Sequence, residues 1–304
     1  MKPISRVARA VLGGLLAAAA GIGCAQILGT RFDDATLDGG ATAPPGDASP
    51  GADAPDAQAF DPRRLEHLEL WLAADFGVTE TGVGAGGTAD ADGLGLDGVA
   101  LWEDRSGKGH SAVGSDALRR PHSVHDAGAA PVIAFDRGQG TCLSDTWANG
   151  GVPMGLTLFV VSQGDATNVV RFESLGAIGF PWNSNYAGAP GDEPRLHLLV
   201  ATATGARETP LLGSQGRAWE VLSARLVARE VGGLRTYRNG ELSEQASLTG
   251  EDLPSLDALT IGCAGMVDEF ATAFVGEVLV YTAALSDGDR HLVEEYLRIK
   301  WQIH

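Results

Sequence analysis

The chain has 304 residues, 44% hydrophobic and 20% charged, with 42 glycines and a formal net charge of −17. That length and apolar content suffice for one or two domains with a sizeable core, and the glycines suit many turns between short strands. So acidic a surface repels nucleic acid phosphates and anionic lipid headgroups, which excludes DNA and RNA as partners and leaves membrane association to an anchor.

The first element is a leader. Lys2, Arg6 and Arg9 form a basic start, and Ala10 to Gly23 then runs 14 residues without a charge. This is short of the roughly 20 residues of a membrane-spanning helix and fits the apolar region of a secretory signal. The run ends in Gly21-Ile22-Gly23-Cys24, which resembles a bacterial lipobox, although Gly21 stands where that motif usually has Leu or another aliphatic residue. The resemblance implies that residues 1–23 are a signal peptide and that Cys24 is lipidated in an exported protein. Ala25 in place of Asp implies the outer membrane under the enteric sorting rule. One acyl chain anchors only marginally; the two or three of a bacterial lipoprotein anchor durably. The alternative is an ordinary signal cut nearby, with Cys24 incidental.

Residues 24–60 read as a tether. Asp33, Asp34, Asp38, Asp47, Asp53 and Asp56 alternate with Ala, Gly and the prolines Pro44, Pro45, Pro50 and Pro55. There is too little apolar surface here to offset the entropy of ordering, which predicts a disordered acidic spacer.

Residues 61–304 read as one globular domain. Segments of strand length alternate or run apolar at Leu68–Leu72, Val132–Phe135, Leu156–Ser162, Leu196–Ala201, Glu220–Ala228, Leu234–Arg238, Leu259–Gly262 and Phe274–Tyr281. Leu222, Ala224, Leu226 and Ala228 share one face of their strand. Asn239-Gly240 between two such runs predicts a two-residue hairpin, whose turn needs positive φ at both positions. Many short strands and few helices predict an all-β sandwich or barrel. A helix closes the chain: Ser286 caps it, Asp287 and Asp289 lie at its start, and Arg298 and Lys300 at its end. Leu292, Val293, Tyr296, Leu297 and Trp301 are expected on its buried stripe.

Particular motifs carry a family resemblance. Leu70-Trp71-Leu72-Ala73-Ala74-Asp75 is followed by Trp102-Glu103-Asp104-Arg105-Ser106-Gly107-Lys108-Gly109, then by Arg120-Pro121 and Pro131-Val132-Ile133-Ala134-Phe135-Asp136. Tyr237 to Leu242, Leu259-Thr260-Ile261-Gly262 and Gly276 to Tyr281 follow in the same order, with Leu285-Ser286, Arg290 and Tyr296-Leu297 after them. The set, over residues 64–301, resembles laminin-G-like, concanavalin A-like jelly-roll domains of bacterial surface proteins. The resemblance implies a two-sheet antiparallel jelly-roll sandwich with a C-terminal helix and one concave sheet. It also implies binding of carbohydrate or of a surface protein. Within its motifs, Trp71 and Trp102 are expected in the core and Ser106 to Gly109 in a turn.

Tests for chemistry are mostly negative. The related glucanases place paired acids on one strand as E-x-D-x-x-E, and this sequence has no such pattern; adjacent Asp268 and Glu269 would point to opposite faces. Neither a G-x-S-x-G elbow nor H-E-x-x-H occurs. Gly82 to Gly87 fits G-x-G-x-x-G but reads as a loop. His122, His125 and Asp126, near His110, offer metal ligands, a solvated loop being the alternative. Asp90, Asp92 and Asp97 in a Gly-rich loop offer carboxylates to calcium, with a solvated turn as the alternative.

For ligand contact the sequence offers Trp182, Asn183, Asn185 and Tyr186, because aromatic faces stack on sugar CH groups and amides supply paired donors and acceptors. With Cys24 set aside, Cys142 and Cys263 can form a disulfide in an oxidising compartment; two separate buried thiols are the alternative. The expected function is a non-enzymatic, lipid-anchored envelope module recognising glycan or a surface protein. A divergent glycan hydrolase and a structural adhesion protein are the alternatives.

Overall fold

A computed structural model describes residues 60–81, 98–125, 130–147, 151–165, 170–173, 177–179, 182–183, 195–202, 205–211, 218–264 and 269–304. Cys24, Asp90, Asp92, Asp97, Asp126, Asn185 and Tyr186 lie outside the described residues, as do the side chains of Trp182 and Asn183.

The strands form two large antiparallel sheets. The first runs Glu241–Ala246, Leu234–Arg238, Glu220–Val227, Gly155–Asp165, Thr272–Tyr281, Val132–Phe135, His122–Val124. Thr272–Tyr281 shares its outer edge between Val132–Phe135 at one end and Leu68–Ala73 at the other. The second sheet runs Trp182–Asn183, Arg195–Thr202, Ala177–Gly179, Val170–Glu173, Ala258–Ile261, Leu143–Thr146, Ala112–Val113, Gly98–Trp102, Val78–Thr81, and Gly205–Leu211 also pairs with Arg195–Thr202. The protein is thus an all-β sandwich, with one α-helix among the described residues, Asp287–Lys300, near the C-terminus.

Burial explains the strand patterns. Leu70, Leu72, Leu158, Val160, Leu222, Ala224, Leu226, Val278 and Val280 face the second sheet's Val99, Trp102, Leu143, Leu259 and Ile261. Their neighbours Trp71, Phe159, Val161, Val221, Leu279 and Tyr281 project from the other face into a second core with Val293, Leu297 and Trp301 of the helix. The first sheet is therefore buried on both faces at its centre, which is why these strands read as continuous apolar runs. The expected hairpin turn is present, with Asn239 at φ 51° and Gly240 at φ 89°.

The helix requires one correction. Its cap is Ser286, whose hydroxyl accepts from the Asp289 amide at 3.1 Å. Leu292, however, is 51% exposed, while Arg290 and Glu294 are buried. The buried stripe runs through 290, 293, 294, 297 and 301, because Glu294 accepts from Ser223 Oγ on the sheet and from Arg290 Nη1, both at 2.5 Å. Arg290 also lies 3.6 Å over the Tyr237 ring. A buried ion pair takes the place that hydrophobicity assigned to Leu292.

Cys142 precedes the strand Leu143–Thr146 and Cys263 follows its neighbour Ala258–Ile261. The two are joined, with Cα atoms 5.4 Å apart and a sequence separation of 121. Alkylation of the native protein without reductant should therefore label neither Cys142 nor Cys263 in a mass spectrum; labelling of both would refute the bond.

Candidate functional site

The chain crosses from the first sheet to the second at Ala74-Asp75-Phe76-Gly77. Ala74 donates to Gly276 O, Phe76 to Ala73 O, and Gly77, at φ 61°, accepts from the Glu103 amide. Glycine suits this position: a Cβ would lie 2.5 Å from Glu103 Cβ, on a backbone that L side chains disfavour. The turn leaves the Phe76 ring 41% exposed. The Arg105 guanidinium backs it, 5.4 Å from the Phe76 centroid and 4.2 Å from that of Trp71.

Phe76 forms part of a cleft of about 270 Å³ where Val78–Thr81, an edge strand of the second sheet, meets His122–Val124, an edge strand of the first. Asp75, Glu80, Ser123 and His125 bring polar groups to it. Glu80 Oε1 accepts from the Ser123 amide at 3.0 Å, which ties the two sheets together and satisfies an edge N–H. Ser123 Oγ and His125 Nε2 lie 2.8 Å apart. Asp75 Oδ1 accepts from Lys300 at 3.0 Å. The cleft thus combines one open aromatic face with carboxylate, hydroxyl and imidazole groups, a set suited to a polyhydroxylated ligand.

The Trp102-to-His110 motif has a different role. Asp104 accepts six hydrogen bonds, from the amides of Trp71, Ser106, Lys108, Gly109 and His110 and from Ser106 Oγ, at 2.7–3.2 Å. Burial pushes its carboxyl up, but the Ser106 hydroxyl and the Trp71, Ser106 and His110 amides outweigh that and hold it below the usual range. Ser106 also donates to Glu69 O at 3.1 Å. The turn closes around Asp104 and pins it to the strand Leu68–Ala73, so the residues are conscripted to structure. Trp71 and Trp102 are both in the core, as expected.

The histidines do not converge. His110 stacks on Trp147 with centroids 4.3 Å apart, between Asp145 at 3.3 Å and Glu69 at 3.4 Å. It joins the two sheets at their margin. His122 is exposed opposite Ala134, and His125 lies in the cleft. Among the described residues no group of three or more His, Cys, Asp or Glu is placed to hold a metal ion.

Of the ligand-contact residues expected from sequence, Trp182 and Asn183 form a short strand paired with Leu196 and Arg195. Sequence reading did not single out Phe76 or Glu80. A signal was available in Asp75-Phe76-Gly77, an aromatic beside a glycine at a strand end.

No protein-family model and no curated protein matches the sequence. Solved structures match in shape. The receptor binding domain of botulinum neurotoxin D aligns with TM-score 0.50 at 10% identity over 77% of this chain and 53% of that one. Domain 4 of a GH43 extracellular arabinanase from Geobacillus stearothermophilus, solved with arabinotriose, gives 0.48 at 9% identity over 75% and 97%. A Trypanosoma rangeli sialidase gives 0.48 at 13% over 77% and 33%, so this chain spans about a third of that enzyme. At such identities the likeness concerns the sandwich fold alone.

Proposed function

We propose that this protein is a lipid-anchored cell-envelope module that binds carbohydrate in the cleft beside Phe76. The observation that carries the reading is the half-exposed Phe76 ring, backed by Arg105 and facing a cleft with Asp75, Glu80, Ser123 and His125. An aromatic wall removes sugar CH groups from water, and carboxylate and hydroxyl groups take the place of water around the sugar hydroxyls. The family resemblance of the sequence supports the same role, and the neurotoxin domain of this fold is itself a receptor binding domain. The two carboxylates act as hydroxyl acceptors in this reading, not as an acid and a nucleophile.

Calorimetry against a glycan panel tests the proposal. Phe76→Ala should weaken binding by about tenfold or more without lowering the melting temperature, since the ring is largely outside the core. Binding unchanged by Phe76→Ala would move the site elsewhere, and turnover of any polysaccharide in the panel would replace the binding module with a hydrolase.

The anchor rests on Cys24 and its lipobox-like context. Metabolic labelling with a palmitate analogue should mark the wild type and leave Cys24→Ser unlabelled; equal labelling of both would remove the anchor from the proposal.

A further inference from the structure

We infer that the cleft selects neutral and amino sugars and rejects acidic ones. The inference rests on the glycan-binding reading of this same cleft and adds the class of sugar. Its basis is the balance of donors and acceptors around Phe76. Two carboxylates line the cleft, and none of its lining residues is Lys or Arg.

Each carboxylate has one oxygen engaged, Asp75 Oδ1 by Lys300 and Glu80 Oε1 by the Ser123 amide. The other oxygen of each has no partner among the described residues, which leaves two strong acceptors for a ligand's hydroxyl or ammonium groups.

The cations nearby are committed to other partners. Lys300 lies 2.9 Å from Glu277 as well as 3.0 Å from Asp75. Arg105 is stacked on Trp71 and Phe76. Arg120 donates to Gly114 O and to Thr81 Oγ1. His125 has Nε2 engaged by Ser123 Oγ. A uronate or sialate carboxylate entering here would meet the like charge of Asp75 and Glu80, and no lysine or arginine lines the cleft to pair with it. A neutral sugar diol donates to the free oxygens, and a protonated amino sugar adds an ion pair.

The test uses three oligosaccharides of equal length: cello-oligosaccharide, glucosamine oligosaccharide and oligogalacturonate, titrated into wild type, Phe76→Ala and Asp75→Asn/Glu80→Gln at low salt. Oligogalacturonate should bind at least about tenfold more weakly than the neutral chain, and the glucosamine chain at least as tightly as the neutral one. The double variant should narrow the neutral-to-acidic gap to about threefold or less, since both carboxylates become amides that can donate. Equal or tighter binding of oligogalacturonate by the wild type would overturn the selectivity and leave glycan binding in place. A glucosamine preference that persists in Phe76→Ala would also overturn it, by assigning the preference to the acidic surface at large. Failure of all three sugars to bind would reject the glycan reading itself.

Discussion

Glu277→Ala should cost about 4 kcal/mol of folding stability, the cost of stranding buried donors around a lost carboxylate. Glu277 is fully buried on the strand Thr272–Tyr281. Its Oε1 accepts from Trp71 Nε1 at 2.6 Å and from Tyr296 OH at 2.9 Å, while Oε2 accepts from Trp301 Nε1 at 2.9 Å and pairs with Lys300 at 2.9 Å. Three of these four donors come from the C-terminal helix and its cap, and the fourth from the strand Leu68–Ala73, so one carboxylate docks the helix on the sheet. Burial and the adjacent carboxylate push the Tyr296 phenol up, so it stays protonated and donates. Neighbouring Gly276 permits the approach: a Cβ there would lie 2.5 Å from the Trp301 ring. Denaturant unfolding should show the midpoint fall with its slope unchanged. Glu277→Gln should cost about half as much, since it keeps one acceptor but loses the charge facing Lys300. A loss below about 1 kcal/mol for the alanine variant would mean that water satisfies the four donors.

Much of the fold was legible because apolar pattern and turn chemistry are local. The runs at Leu156–Ser162 and Phe274–Tyr281, the Asn239-Gly240 turn and the Ser286 cap all state their structure in consecutive residues. The weak strands were harder. Val78–Thr81 is exposed over three of its four residues and His122–Val124 is short, so neither shows a periodic apolar signal. They are edge strands, held by pairing on one side only, and the cleft lies between them. Its residues come from positions about 45 apart in the chain, and no spacing rule links Glu80 to Ser123. The buried polar groups escaped for a related reason. Glu277, Arg290 and Glu294 look like surface residues until long-range partners explain them. The Leu292 assignment failed because an ion pair displaced a leucine from the buried stripe, a substitution that hydrophobicity cannot foresee.

Asp104→Ala should cost about 3 kcal/mol at neutral pH, less than the sum of six charge-assisted hydrogen bonds because the carboxylate keeps part of its contact with water. The bonds it makes are to five backbone amides and one hydroxyl, and four of those amides belong to a tight turn with Gly107 at φ 87° and Gly109 at φ 85°. Without the acceptor, the turn loses what fixes Lys108 to His110, and the Trp71 amide loses its partner across 33 residues. The effect should depend on pH in a defined direction. Asp104 titrates lower in the folded protein than in the unfolded chain. Its ionised form therefore contributes fully above the unfolded value of about 3.9 and loses that contribution as the pH falls through the lower folded value. The gap in stability between wild type and Asp104→Asn should be constant from pH 7 down to about pH 5 and should shrink below about pH 4. Urea unfolding of both proteins at pH 7, 5 and 3 measures this. A gap that widened on acidification would mean that the turn prefers the protonated acid, contrary to the five amide donors aimed at the carboxylate.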